Sequence, residues 1–346
     1  MSNIGVVIET ARRAMGMTQD QLAKEIGITQ AALCRYERDM REPDGDILAR
    51  LAAALNVTPS FFDRSGRVRG AVALEAHMRR RMTAKPGDWK RAEARLNIHR
   101  LHARLLYDEI AVRAEQRVPS FDPFNDDTAS AALYLRMQWR MPAGPVRALT
   151  QWAEAAGCIV IHEDLGARSI DGLSQWIDEI PIILINLAAP TDKMRFTLAH
   201  EIAHLCLHSQ DITEDIEAQA NAFAAEFLMP AESIRPELRN LTFGKLLDLK
   251  LEWQVSIQAI IERALKLDCI SAAQRTRFYK NLSSRGWRTR EPLSDDLAPE
   301  RPALPQKIGE ALISSGMTNA EISELTGFSE SDPTNPYLPQ PRLRAL

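Results

Sequence analysis

Arg195-Phe196-Thr197-Leu198-Ala199-His200-Glu201-Ile202-Ala203-His204 is the stretch on which the reading of this chain turns. It contains neither proline nor glycine, so it suits a helix. On a helix His200 and His204 stand four residues apart and project from one face. That spacing lets both imidazoles reach one zinc ion, with Glu201 beside it to act on a water. Asp192 or Thr191, just after Pro190, is expected to cap the helix start. Upstream, Pro181 to Asn186 reads as a buried strand, because its apolar residues run without alternation.

A strand leading into such a helix is the layout of zincin peptidases, whose edge strand holds an extended peptide by strand addition. A catalytic zinc takes three protein ligands and keeps one position open. A metzincin would place a third histidine six residues after the second. Gln210 stands there, which excludes that class. His208 lies one further turn along, roughly 6 Å beyond His204, and is expected to support or pack rather than to ligate. The third ligand is sought on the next helix, Glu214 to Pro230. Glu217 and Asn221 share a face at i, i+4, at the edge of the apolar stripe Ile216, Ala220, Phe223, Ala224 and Phe227. Glu217 is the expected ligand and Glu214 the alternative. Glu226, half a turn round, is expected to face solvent.

The stretch Arg195 to His204, followed by Glu217-Ala218-Gln219-Ala220-Asn221 and on to Met229-Pro230, resembles the ImmA/IrrE family of metallopeptidases. That family contains phage anti-repressor proteases and stress-response regulators that act by cleaving a partner repressor. The resemblance implies His200, His204 and Glu217 as zinc ligands and Glu201 as the catalytic base. Ala203 stands where the family often has glycine, and Gln219 where a second glutamate is frequent. The likeness extends more weakly from Gly157 to Pro292, including Ser284-Arg285-Gly286-Trp287-Arg288.

Residues 4 to 62 read as five short helices. Thr18 starts one helix with Gln21 three residues on, a capping box. Gly27 turns the chain, and Thr29 caps the next helix. Leu22, Ala23, Ile26, Ile28 and Leu33 have the spacing of a helix-turn-helix core, which Ile47, Leu48, Leu51, Leu55 and Val57 close. The pattern resembles the Cro/CI-type (XRE) DNA-binding domain. In such a unit the second helix enters the major groove of double-stranded DNA. Gln30 is then expected to pair with adenine and Arg35 with guanine or a phosphate. Ala31 and Ala32 allow close approach, Thr29 opens the helix, and Gln19 is placed to bond a phosphate. Such domains read paired half-sites, which implies a homodimer.

Charge complicates that picture. Residues 1–64 carry a net −1, whereas residues 65–104 carry a net +8. The run Arg79 to Arg81, then Lys85, Lys90, Arg91, Arg95 and Arg100, is a basic helical connector. It either adds phosphate contacts or packs on its neighbours, with Trp89 in the core.

The 346 residues, 45% of them hydrophobic, suffice for two or three domains. Cys34, Cys158, Cys206 and Cys269 lie far apart, which suits reduced thiols in a cytoplasmic protein. No apolar run spans a bilayer, so no membrane partner is expected. Gly157 to His162 and Ile170 to Ile177 read as further strands of a small sheet, with His162 structural. After Pro230 helices run to about residue 283. Gly316-Met317-Thr318 to Gly327-Phe328-Ser329 echoes Gly16-Met17-Thr18 to Gly27-Ile28-Thr29, but three prolines follow where a recognition helix would stand. Residues 288–306 and 333–346, rich in proline and charge, are expected to be mobile.

The expected fold class is mainly α with a small β-sheet (α+β). The expected divisions are 1–64 for the helix-turn-helix domain, 65–150 for the connector, 151–292 for the zincin-like peptidase domain and 293–346 for a helical, proline-rich tail. The expected function is a DNA-binding regulator whose zinc-dependent endopeptidase domain cleaves a protein substrate of repressor type. A second reading is a non-catalytic, ligand-sensing regulator or an antitoxin-like DNA binder that retains a metal site.

Overall fold

The computed structural model describes residues 4–65, 85–110, 114–209 and 213–339. It is mostly helical, with one three-stranded sheet among the described residues, an α+β fold. Helices α1 (Ile4–Ala14), α2 (Gln19–Glu25), α3 (Gln30–Glu37), α4 (Gly45–Leu55) and α5 (Pro59–Ser65) form the N-terminal bundle. Thr18 caps α2 with the reciprocal Gln21 bond, and Thr29 accepts from the Ala32 N–H to cap α3. Ile8, Leu22, Leu33, Leu51 and Phe61 fill its centre.

Helix α6 (Pro86–Glu109) joins the two halves of the molecule. Ala94, Ile98, Leu101 and Leu105 enter the core of the bundle. Trp89, Ala92, Leu96 and Ala103 enter a second core, on the sheet. A helix buried on two sides cannot present all its cations to DNA. Arg95 forms an ion pair with Glu163 and Arg100 is buried, so neither is free for phosphate; Lys85, Lys90 and Arg91 remain exposed. Arg79 to Arg81 lie outside the described residues. Burial works against ionisation of Glu163, but the bonds from His99 and Arg95 prevail and bring its pKa down to about 2.

Helices α7 (Thr128–Gln138) and α8 (Leu149–Ala155) lead to strands β1 (Ile159–Glu163), β2 (Gly172–Ile177) and β3 (Ile180–Asn186). The order is β1-β3-β2, with β1 parallel and β2 antiparallel to the central β3. Ile182 and Leu184 face the α6 side, while Ile183 and Ile185 join the core on the other side. Burial on both faces explains the unbroken apolar run of β3. The strand just before the H-E-x-x-H helix is therefore central, and β2 forms an edge.

Helices α9 (Thr191–Leu207) and α10 (Ile216–Leu228) pack together beneath the sheet, followed by α11 (Ala231–Ile234), α12 (Phe243–Trp253), α13 (Ile257–Lys266) and α14 (Ala272–Ser284). Gly172 permits the approach of β2 to α9, since a Cβ there would lie 2.7 Å from Thr197 Cγ2 and 3.0 Å from the Leu184 carbonyl. The start of α9 differs from expectation. Neither Thr191 nor Asp192 caps it; Pro190 holds that position without a side-chain bond, and Asp192 instead pairs with fully buried Lys250. Glu226 also departs from expectation. It is buried, not solvent-facing, and pairs with Arg263 while accepting from the Ala231 N–H.

Parts of the tail pack into the fold through residue 339, which the composition did not lead one to expect. Helices α15 (Leu304–Ser314) and α16 (Asn319–Thr326) pack with α6, and Leu297, Asn335 and Tyr337 are buried. The echo noted in the sequence ends in a strand-like bridge to the bundle. Val57 pairs with Phe328, Thr58 N–H donates to the Gly327 carbonyl at 3.0 Å, and Ser329 N–H donates to the Asn56 carbonyl at 3.1 Å. The tail is thus a brace between the bundle and α6. Residues 340–346 lie outside the described residues.

Candidate metal centre and nucleic-acid interface

His200, Glu201 and His204 sit on α9 and Glu217 sits in the first turn of α10. Packing of these two helices brings Glu217 over the histidine pair. His200 Nε2 lies 3.4 Å from Glu217 Oε2, and His204 Nε2 lies 3.6 Å from Glu217 Oε1. The two Nε2 atoms are 3.0 Å apart. A tetrahedral ion with bonds of about 2.0–2.1 Å sets its ligand atoms roughly 3.3 Å apart. The three donors have that spacing and the two-nitrogen, one-oxygen chemistry that suits zinc.

The surroundings dictate which ring nitrogens face the centre. The Pro123 carbonyl can only accept, so the Gln219 amide nitrogen that reaches it at 2.7 Å donates. Gln219 Oε1 therefore turns to His208 Nε2, 2.9 Å away, and also accepts from Thr213 Oγ1. His208 Nε2 must then carry a hydrogen. Burial holds the His208 pKa below its usual range, and a neutral ring leaves Nδ1 as an acceptor. His204 Nδ1, 3.0 Å from that atom, is the donor. His200 Nδ1 likewise donates to Asn221 Oδ1 at 3.0 Å. Both Nε2 atoms consequently direct lone pairs into the same space. Two ring nitrogens 3.0 Å apart with a carboxylate beside them form a donor set that fits a divalent ion.

Glu201 lies on the same helix, buried. Ser174 on the edge strand β2 donates its hydroxyl to Glu201 Oε2 at 2.8 Å, which orients the carboxylate. Strand alternation places Ser174 on the α9 face of β2, but no sequence spacing links residues 174 and 201; only the fold does. Glu214, the alternative ligand, is exposed and lies outside the three-residue cluster. His208 is a buried supporting group, as its spacing suggests.

In the bundle, Gln30, Ala31 and Arg35 lie exposed on α3, Thr29 is exposed at its cap, and Ala32 is half-buried. Behind them is a buried ion pair that no spacing in the sequence reveals: Arg12 Nε reaches Glu37 Oε1 at 2.5 Å and Arg12 Nη2 reaches Oε2 at 2.9 Å. Gln19 Nε2 donates to Glu37 Oε2 at 2.7 Å, and Gln30 Nε2 donates to Gln19 Oε1 at 2.6 Å. The chain Arg12–Glu37–Gln19–Gln30 holds the Gln30 amide in one orientation, with its carbonyl oxygen and second N–H left for a partner.

A helix-turn-helix bundle and a sheet backed by an H-E-x-x-H helix define a DNA-binding protein with a metallopeptidase-type domain. Residues 8–62 match the family described as helix-turn-helix, and residues 153–265 match the peptidase family described as IrrE N-terminal-like domain. The HTH-type transcriptional regulator ImmR of Bacillus subtilis (strain 168) is 36% identical over 59 residues, 17% of this chain and 46% of that protein. The match spans about half of that relative's length. This chain therefore carries an XRE-type helix-turn-helix joined to an ImmA/IrrE-type domain. Among the described residues no helix is long and apolar enough to cross a membrane.

Proposed function

We propose that this chain is a cytoplasmic, DNA-binding homodimer whose second domain is a zinc-dependent endopeptidase, acting on a partner protein of repressor type. The working division is 1–64, 65–150, 151–292 and 293–346. The observation that carries the reading is the Nε2 atoms of His200 and His204 facing each other at 3.0 Å beside the Glu217 carboxylate. Zinc bound by these three residues would supply Lewis acidity toward a scissile carbonyl. Glu201 accepts a proton from the attacking water and returns it to the leaving amine. Ser174 occupies one Glu201 oxygen and keeps the carboxylate from swinging away. β2 is an edge strand of the described sheet and lies next to Glu201, a position that suits an extended peptide added as a strand.

The test pairs metal analysis with a cleavage assay on the repressor-type protein encoded nearby. The parent protein is expected to hold one zinc per chain and to cut. Glu201→Gln is expected to hold the same zinc and to lose cleavage by at least about 10²-fold, since an amide accepts no proton. Cleavage by Glu201→Gln at the parent rate sinks the assignment of the base. Zinc without any cleavage supports the non-catalytic regulator instead.

A further inference from the structure

Residues 271–290, in and after α14, hold six cations and no carboxylate: Arg275, Arg277, Lys280, Arg285, Arg288 and Arg290. Two are neutralised nearby, Arg275 by Glu262 and Arg290 by Asp295. Arg277, Lys280, Arg285 and Arg288 are exposed, and none forms an ion pair among the described residues.

Aromatic rings hold two of these four in place. The Arg285 guanidinium lies over Trp287 at 5.0 Å and over Phe243 at 5.5 Å, and that of Arg288 lies over Tyr279 at 5.2 Å. The turn that carries them is anchored from behind by Glu291. Its carboxylate accepts from the Ile257 N–H at 2.6 Å and the Gln258 N–H at 3.1 Å, and pairs with buried Lys250 at 2.8 Å. Lys250 in turn pairs with Asp192 in the first turn of α9. The cations are thus presented by a rigid support. A long cation held by stacking has less rotamer entropy to lose when an anion arrives.

We propose that α14 and the turn after it form a contact surface for the phosphate backbone of duplex DNA, separate from the helix-turn-helix. The charge balance selects this partner. The helix-turn-helix segment 1–64 carries a net −1 and supplies little phosphate neutralisation itself. Of the connector's cations, Arg95 and Arg100 are paired or buried, and Lys85, Lys90 and Arg91 are exposed. A protein that reads bases with one domain still needs sequence-independent cations, and this surface has four. The ring faces of Trp287 and Tyr279 lie under arginines, so the surface meets phosphates rather than stacking on bases.

The test uses the full-length protein and a fluorescein-labelled duplex of random sequence, with anisotropy read across a salt series. The Arg277→Gln/Lys280→Gln/Arg285→Gln/Arg288→Gln protein is compared with the parent, with far-ultraviolet dichroism and melting temperature as folding controls. The slope of log affinity against log salt is expected to flatten by about 0.9 for each phosphate no longer neutralised, roughly 2 to 4 in all, and affinity at low salt to fall at least about tenfold. Should the quadruple variant misfold, Arg277→Gln/Lys280→Gln leaves the stacked arginines intact and is expected to give about half the flattening. An unchanged slope and affinity in the folded quadruple variant overturns the proposal. So does loss of binding to polyglutamate or to phosphatidylserine vesicles while DNA binding stays at the parent level, because the surface then serves an acidic protein or a membrane.

Discussion

His204 Nδ1 lies 3.0 Å from His208 Nδ1, and His208 completes a hydrogen-bonded chain through Gln219 to the carbonyl of Pro123. The loop around Pro123 is itself tied to α9, because the Phe121 N–H donates to the Cys206 carbonyl at 2.8 Å. The hydrogen-bonded chain behind His204 therefore ends on the backbone of that loop.

Removing a link of that chain should loosen the metal without removing a ligand. His208→Ala and Gln219→Ala are each expected to weaken zinc binding by about 10–100-fold. Competition with a chromophoric chelator measures this directly. Parent affinity in both variants would show that His204 needs no such orientation.

Glu217→Gln tests the third ligand. A neutral amide is a poorer ligand for a dication, so zinc affinity should fall by at least about tenfold, equivalent to about 1.4 kcal/mol. Glu214→Gln, at an exposed position, should bind zinc like the parent. The reverse pattern in a zinc titration would move the ligand to Glu214.

On the DNA side, Arg35→Ala should cost about 1–3 kcal/mol on a selected operator and relax one base position. Gln19→Ala should also blur the position read by Gln30, since Gln19 is what holds that amide. Selection from random duplexes, repeated with each variant, reads both outcomes. Unaltered base preference in Gln19→Ala would mean that Gln30 needs no support or reads no base.

The brace between tail and bundle should be acid-sensitive. His102 is buried, stacked on Phe328 with ring centres 3.6 Å apart, and bonded through Nδ1 to the Thr326 carbonyl at 2.8 Å. Burial, helped by nearby His99, depresses its pKa from 6.5 to about 3. The unfolded ring takes a proton below about pH 6.5 and the folded ring does not. Its stabilising contribution is therefore complete above about pH 6.5 and declines as pH falls toward about 3, by up to about 1.4 kcal/mol per pH unit. His102→Gln should flatten that part of a plot of melting temperature against pH. An identical acid slope in the variant would assign the loss to other groups.

Much of this was legible in the sequence because it is local. The two histidines of α9 follow from helix periodicity, Thr18 and Thr29 from capping chemistry, and β3 from an apolar run buried on both faces. Glu217 could be named because α10 follows α9 closely and its apolar stripe shows which side faces inward. Glu226 and Asp192 were misjudged for one reason. A carboxylate reads as a surface group until a cation from a distant segment, Arg263 or Lys250, is seen to bury with it. The tail was misjudged likewise, since proline-rich composition says nothing of the partners that Phe328 and Tyr337 find on α6 and the bundle. The sequence by itself determined the two classes of domain and the proposed chemistry of the H-E-x-x-H helix. Only the tertiary structure decided the partners of that chemistry, Ser174 on Glu201, the Pro123 carbonyl behind His204 and Glu37 behind Gln30, because hydrogen bonds between residues far apart in the chain leave no spacing for a sequence to show.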